Sequence, residues 1–464
     1  MLTYDMNQRG NLARYDYLYR CIKEDILTGR IPAGEKLPSK RALARHLEIA
    51  VVTVENAYAQ LIAEGYLRPE EKRGYYVDTI ETRSPGGQLD REWESLERPD
   101  EPGQQWVLDG KGSGNGTEGF PFSVWARLMR RVLTEQGKSL LQGIPHNGVP
   151  ELREAIAHHV YQFRGIAARP EQVVVGAGTE YLYNLIVQLF GRDQIYGVED
   201  PGYSKAVRIY ELNGAKCVDI PVDEQGARFP EGQEIQVLHI SPNHQFPTGT
   251  VMPIARRQKL LSWAAEERER YIIEDDYDSE FRFTGRPIPT LQSIDHGQRV
   301  IYMNTFSRSL APSLRISYMI LPVALLERYQ ERLGFYSCTV PALEQYTLAH
   351  FLTGGHFEAH VNRMRIYYRG QRDEVLRALE DSSLAGHCQV LGENAGLHFL
   401  LKLETGKTDR ELAGLAEEQG IRFSFLSDYQ RRPGLVPQHI LVIHYPGILL
   451  EGWSSALEIL AKLL

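Results

Sequence analysis

Cysteine is scarce in this chain: Cys21, Cys217, Cys338 and Cys388 are the only four in 464 residues. They stand far apart, form no Cys-x-x-Cys pair and have no histidine at ligand spacing beside them. That argues against a disulfide-stapled fold and a zinc site, and predicts free thiols in a reducing compartment. Long apolar runs are missing too, since none approaches the roughly 20 residues of a membrane-crossing helix. The opening stretch MLTYDMNQRGNLARYDYLYR has no apolar signal core, so a cytoplasmic protein without a membrane partner is expected. Excess positive charge is also absent, the net charge being −8. Residues 1–79 nevertheless hold 12 Lys+Arg against 11 Asp+Glu, net +1, while the remainder is net −9. The acidity belongs to the longer part, which leaves room for a small N-terminal DNA-binding module.

What is present is length enough for two or three domains, with 42% apolar and 24% charged residues, as in ordinary globular protein. Residues Tyr15 to Leu27 place Leu18, Tyr19, Ile22 and Ile26 at helical spacing. Gly29 ends that helix, and Pro32-Ala33-Gly34 turns the chain. A second helix starts at Pro38-Ser39, with Leu43, Ala44 and Leu47 on one face and Lys40, Arg41 and Arg45 on the other. A third runs from about Val52 to Glu64, with Val54, Ala57, Tyr58 and Leu61 inward and Gly65 as its stop. Tyr66-Leu67 and Tyr75-Tyr76-Val77 then alternate like two short strands around the charged tip 70–74. Three helices and a hairpin make a winged helix-turn-helix.

Ser39 and the backbone amides at the start of the second helix can meet a DNA phosphate, with Lys40 and Arg41 the adjoining cations. The third helix enters the major groove by its N-terminal end, which presents Val51, Val52 and Thr53. Apolar side chains there touch thymine methyls and cannot make the bidentate guanine contact, so readout leans to A·T. Arg73 at the wing tip reaches a phosphate or a minor groove. The stretches "GEKLPSKRALARHL", "TVENAYAQLIAEGYL" and "RGYYV" resemble the GntR type of winged helix. The domain is therefore expected over 10–79, followed by a Pro-, Gly- and acid-rich linker over 80–105.

From residue 106 to 464 strand-like and helical segments alternate. Strands are expected at 172–175, 195–198, 235–240, 271–273 and 300–303, in a mostly parallel sheet with helices on both faces. A smaller α+β part follows, with strands near 397–403 and 440–444. Five pieces of this region carry chemistry. Val175-Gly176-Ala177-Gly178-Thr179 is a strand, a glycine turn and a helix start, where Gly178, Thr179 and the amides can cradle a phosphate. Glu199-Asp200-Pro201-Gly202-Tyr203 can lay the Tyr203 ring on a planar cofactor. The turn Ser241–Gly249, with Asn243, can present a polar side chain to a ring oxygen. Ile272-Ile273-Glu274-Asp275-Asp276-Tyr277 is an apolar strand that delivers charge at its C-terminal end. Thr305-Phe306-Ser307-Arg308 through Arg315 sets hydroxyls beside two arginines, a set suited to an anion.

In this order "EDDYDSEFRF", "SPNHQFPTGTVMP" and "TFSRSLAPSLRISYMILP" resemble the MocR/GabR type of bacterial regulator. Such regulators fuse a GntR winged helix to a fold-type I aminotransferase-like domain that holds pyridoxal phosphate (PLP). The resemblance implies that Asp275 pairs with the pyridine nitrogen and Tyr277 with the ring hydroxyl. Thr305, Ser307 and Arg315 would hold the phosphate, with Gly178 and Thr179 opposite. It also implies a head-to-tail homodimer. One position departs: the family has its Schiff-base lysine where this chain has Arg308. A guanidinium stays protonated and is not a nucleophile. No catalytic residue and no metal ligand are therefore assigned, and Arg308 is expected to grip an anion. Lys111 is the nearest substitute amine. His146 stands in place of a phosphate-binding tyrosine, and Arg431 and Arg432 are candidates for a substrate carboxylate. The expected function is transcriptional regulation, with a double-stranded DNA operator as one partner and a small effector as the other. That effector is PLP, a PLP–amino acid adduct or another anion, held non-covalently. The alternatives are a residual PLP-dependent aminotransferase and a ligand-independent dimeric repressor.

Overall fold

The computed structural model describes residues 2–79, 106–110, 119–283, 288–393 and 396–464. The expected linker 80–105 and Lys111 lie outside the described residues. The chain divides into two compact units, Met1–Gly103 and Gln104–Leu464.

In the first unit three helices, α1 (Arg14–Leu27), α2 (Lys40–His46) and α3 (Val51–Ala63), form because their apolar residues recur every three or four positions. Leu18 and Ile22 of α1, Leu43 of α2, and Val54, Ala57, Tyr58 and Leu61 of α3 are fully buried. Tyr19, expected inside, is only partly buried; its hydroxyl donates to Glu64 while Lys23 donates to it at 2.8 Å. Strands β1 (Lys36–Leu37), β2 (Leu67–Glu70) and β3 (Gly74–Val77) form an antiparallel sheet in the order β1-β3-β2. Tyr58 donates to the Pro38 carbonyl at 3.0 Å, tying α3 to the segment that leads into α2.

The second unit is built on an eight-stranded sheet. Val173–Gly176, Ile195–Asp200, Val237–Ile240, Tyr271–Asp275 and Val300–Thr305 all run the same way. Ser317–Ile320 is inserted antiparallel between the first and last of these. Lys216–Asp223 and Gly226–Ala227 extend the opposite edge. None of the last three strands was expected; Ser317–Ile320 and Gly226–Ala227 are short, and Lys216–Asp223 lies next to the edge. Successive strand residues point to opposite faces. Val174, Ile301, Met303 and Met319 pack under the helices Thr179–Phe190 and Leu326–Leu333, while Val173, Val175, Tyr302 and Tyr318 pack under Pro150–Arg164 and Ala342–Thr353. The sheet is thus covered on both faces, as its near-continuous apolar strands require. A smaller antiparallel sheet pairs Cys388–Leu391, His398–Leu403, Ile440–His444 and Ser424–Phe425. His356–Glu380 and Leu450–Leu463 pack on it around the fully buried Trp453, whose indole donates to the Val375 carbonyl at 3.0 Å. No helix among the described residues is long and apolar enough to cross a membrane.

Candidate functional sites

The parallel strands of the large sheet open at one end, and that end carries a cavity. Thr179, Tyr183, Tyr203, Ser241, Phe246, Asp275, Tyr277, Thr305 and Arg308 line it. Ligands in open α/β sheets bind outside the carboxyl ends of the strands because the connecting loops and helix N-termini converge there.

The floor is acidic. Glu274, Asp275 and Asp276 are all buried, and each finds partners. Glu274 accepts from the amides of Leu291 and Gln292, both at 2.9 Å. Asp276 accepts from Tyr302 at 2.7 Å and lies 2.9 Å from the buried Arg164 guanidinium. Asp275 turns to the opposite face, accepts from Tyr183 at 2.6 Å and lies 3.4 Å from His239. His239 is in turn 2.9 Å from the Tyr210 hydroxyl. One Asp275 oxygen, Oδ1, is buried without a partner. Close by, Glu199 accepts from the Ser241 amide at 3.2 Å, and burial pushes its carboxyl up to about 8. Burial, with Asp276 beside it, likewise pushes Glu274 up to about 7.

One wall carries hydroxyls, a glycine turn and arginine. Gly178 sits at φ 90° before the helix Thr179–Phe190, and a Cβ there would collide with the Arg315 guanidinium. Only glycine allows that approach. Arg315 lies 3.0 Å from Glu180, which also pairs with Lys205 at 3.0 Å. Thr305 caps the short helix Phe306–Ser309 by accepting from the Ser307 amide at 3.2 Å, and Ser317 donates to Thr305 at 2.7 Å. The Ser307 hydroxyl is buried without a hydrogen-bond partner. Arg308 lines the same cavity.

Tyr203 and Phe246 meet edge-to-face at 6.2 Å and supply aromatic lining. The Tyr277 hydroxyl is 3.1 Å from His244 Nδ1, which lies 2.8 Å from Asp278. Burial raises the Tyr277 hydroxyl well above its ordinary range, so it stays protonated as a donor. His398 joins His244 and Asp278, their ligand-type atoms lying within 4.8 Å of one another. Hydrogen bonding accounts for that grouping, since His398 also reaches the Pro247 carbonyl at 3.0 Å.

Thr179, Tyr203, Asp275, Tyr277, Thr305 and Arg308 are thus brought to one cavity, with Gly178, Ser307 and Arg315 next to its lining residues and not among them. Asn243 is not brought there. Its amide donates to Glu274 at 3.1 Å and Asp276 at 2.8 Å, and its oxygen accepts from Arg257 at 2.9 Å. The buried carboxylates on that face of the strand need the donors, so the turn offers Ser241 and Phe246 to the cavity instead. Arg431 and Arg432, named for a substrate carboxylate by location only beside a reading as loop cations, are held by carboxylates of the chain itself. Arg431 pairs with Glu211 at 2.7 Å and Asp219 at 3.2 Å, and Arg432 pairs with Asp219 at 3.0 Å. The His146 ring lies 5.5 Å from that of Tyr329 and is not among the cavity residues. Sequence reasoning missed Tyr183, Ser241, His239 and Phe246. Of these, His239 had a signal: it interrupts the buried run Val237-Leu238-His239-Ile240.

In the first unit Ser39 caps α2, its hydroxyl oxygen accepting from the Ala42 amide at 3.2 Å. Lys40 pairs with Glu55 at 2.6 Å and sits 5.6 Å from the Tyr75 ring centre. Arg41 is exposed. Val51 and Val52 are 43% and 58% exposed at the start of α3, and Thr53 is half-buried. Arg73 closes the wing turn with its amide on the Glu70 carbonyl at 3.0 Å, and its side chain is 78% exposed.

Comparison with known proteins matches both units. Residues 14–77 match the bacterial regulatory proteins of the gntR family, and residues 112–427 match class I and II aminotransferases. The chain is 41% identical to the uncharacterized HTH-type transcriptional regulator YdeL of Bacillus subtilis (strain 168), covering 93% of each chain. It is 31% identical to the probable rhizopine catabolism regulatory protein MocR of Rhizobium meliloti, covering 96% of this chain and 92% of that one. Among solved structures, an archaeal alanine:glyoxylate aminotransferase superposes with a TM-score of 0.68 at 25% identity, over 78% of this chain and 91% of that one.

Proposed function

The chain belongs to the HTH-type transcriptional regulators that join a GntR winged helix to a class I and II aminotransferase-like domain, and from that premise we propose that its second unit senses PLP, or an amino acid carried on PLP, without a covalent bond to the protein. The observation that carries this reading is a pair of unpartnered buried atoms, Asp275 Oδ1 in the cavity and Ser307 Oγ between the cavity residues Thr305 and Arg308. A buried polar atom without a partner is costly, and a ligand that supplies the partner recovers that cost. The two atoms fit the two polar ends of PLP. Asp275 meets the ring nitrogen, and Ser307, Thr305, Thr179, the Gly178 turn and Arg315 meet the phosphate. Tyr203 lies on the ring face, and Tyr277 donates to the ring hydroxyl. When bound, PLP supplies an electron-withdrawing pyridinium ring.

Arg308 stands where the aminotransferase-like family carries its lysine. A guanidinium stays protonated and offers no free amine lone pair. It therefore grips an anion and cannot attach to an aldehyde, and the unit serves as a sensor and not as a transaminase. The protein acts as a cytoplasmic, head-to-tail homodimer on a double-stranded operator. A ligand that favours one arrangement of the two winged helices shifts operator affinity.

The test is to add PLP, reduce with borohydride and weigh the protein. Wild type is expected to gain no mass, although calorimetry registers PLP binding. Arg308→Lys is expected to gain one phosphopyridoxyl group. A covalent adduct on wild type overturns the non-covalent reading. Absence of any PLP heat favours a dimer whose second unit needs no ligand.

A further inference from the structure

We propose that base readout rests on Val51, Val52 and Asn56 of α3, with Asn56 selecting an adenine, while Glu55 is withheld from the groove by Lys40. The inference rests on the DNA-binding role of the first unit and adds which bases it prefers and why.

The buried face of α3 is fixed by Val54, Ala57, Tyr58 and Leu61, none of which is accessible. In its first two turns the half-buried Thr53 sits between the faces, and Val51, Val52, Glu55 and Asn56 are exposed. Val52 and Asn56 are four apart and share one face; Val51 and Glu55 form the neighbouring pair. A recognition helix entering the major groove by its N-terminal end brings these positions to the base edges.

The four side chains are not equally free. Glu55 is drawn sideways into a 2.6 Å ion pair with Lys40 on α2, and the Lys40 ammonium also faces Tyr75 on the wing strand. Its carboxylate, which would otherwise accept from cytosine and repel phosphate, is neutralised and turned towards α2. Gln60, one turn beyond, donates to Glu64 at 2.7 Å. The Asn56 side chain makes no hydrogen bond among the described residues. It is also the one groove-facing group that carries a donor and an acceptor in one plane. Asparagine matches the N6 donor and N7 acceptor of adenine, and the two valines match thymine methyls. Both preferences point to an A·T-rich half-site.

The full-length protein should be used to select duplexes from a randomised pool, followed by sequencing. Wild type is expected to enrich half-sites with one strongly preferred adenine flanked by A·T pairs. Asn56→Ala, a surface change whose helix content is checked by circular dichroism, is expected to lose that single preference. It should bind the selected duplex about 10- to 100-fold more weakly, with unselected duplex unaffected. Glu55→Gln is expected to tighten binding to selected and unselected duplexes equally, because Lys40 is released and a negative charge removed. An unchanged adenine preference in Asn56→Ala overturns the proposal. So does loss of a cytosine or guanine preference in Glu55→Gln, which would mean Glu55 reads a base. No enrichment by wild type overturns the DNA-binding premise itself, a result distinct from the other two.

Discussion

The two units keep their working groups in opposite places. In the winged helix, the groups assigned to DNA stand on the surface, and the core beneath them is almost purely apolar. In the larger unit, the groups assigned to a ligand are buried at strand ends, among carboxylates that each need a named partner. A surface site leaves stability nearly untouched when it is altered, because solvent replaces whatever is removed. A buried polar site is bound into the fold, because removal of one partner strands the other. The first unit is therefore free to change its specificity, whereas the second must hold its chemistry and its fold together.

The sharpest way to break this contrast is at Asp276. Asp276→Ala leaves Arg164 buried, its side chain only 8% exposed, without its closest carboxylate. The larger unit is expected to lose about 3–5 kcal/mol, read as a lower unfolding midpoint in denaturant for that unit while the first unit's transition stays in place. A matched loss in both units would show that they do not melt independently. One residue earlier, Asp275→Asn keeps the acceptor for Tyr183 but removes the charge opposite a ring nitrogen. PLP affinity is expected to fall by about 1.5–3 kcal/mol, the range for a hydrogen bond to a charged group, with a smaller change in stability than Asp276→Ala. Calorimetry beside denaturation separates the two neighbours.

The same contrast explains what could be read from the sequence. A run such as Ile272-Ile273-Glu274-Asp275-Asp276 stands out because three carboxylates after buried aliphatics cannot stay charged inside a protein without partners. The run shows that a charged site exists at that strand end. It does not show the destinations, because the partners come from afar: Tyr183 is separated from Asp275 by 92 positions and Asn243 from Asp276 by 33. Asn243 was misplaced for this reason, since a turn rich in polar residues does not reveal which of them the carboxylates capture. Location alone could not show that Glu211 and Asp219 hold Arg431 and Arg432. The strand Ser317–Ile320 was hidden by its brevity and by Pro322 close behind. In the winged helix, spacing gave the helices to within a residue or so, yet exposed positions such as Asn56 carry no pattern, and their role depends on the fold that surrounds them.

Glu199 sharpens the contrast through pH. Its carboxyl is pushed up to about 8 by burial, against the ordinary 4.5. A raised folded-state pKa means that the folded form holds the proton longer than the unfolded chain. The associated stability is complete below about 4.5 and is lost as pH rises to about 8. Burial holds His398 and His444 below their ordinary range, so they act on the acid side of about 6.5, while Glu274 and Glu280, both raised to about 7, share the interval above it; comparison with Glu199→Gln removes their part. Between pH 6.5 and 8 wild type is expected to lose on the order of 1–2 kcal/mol relative to Glu199→Gln. The loss should appear in the larger unit alone. Parallel pH profiles for the two proteins would mean that Glu199 is ionised throughout.

The smallest expected effect tests the surface side. The Arg73 guanidinium is 78% exposed and 3.8 Å from Glu70, a separation at which an exposed pair contributes little stability. Arg73→Ala should therefore leave the unfolding midpoint unchanged. If the wing tip touches a phosphate, removing one cation releases about one fewer counterion on binding. The slope of log affinity against log salt then becomes shallower by about 1, with base preference intact. That result separates charge from readout within a single unit, because Asn56→Ala should change base preference and leave the salt slope alone. An unchanged slope in Arg73→Ala would assign the wing cation to solvent and leave α2 and α3 as the elements that hold the duplex.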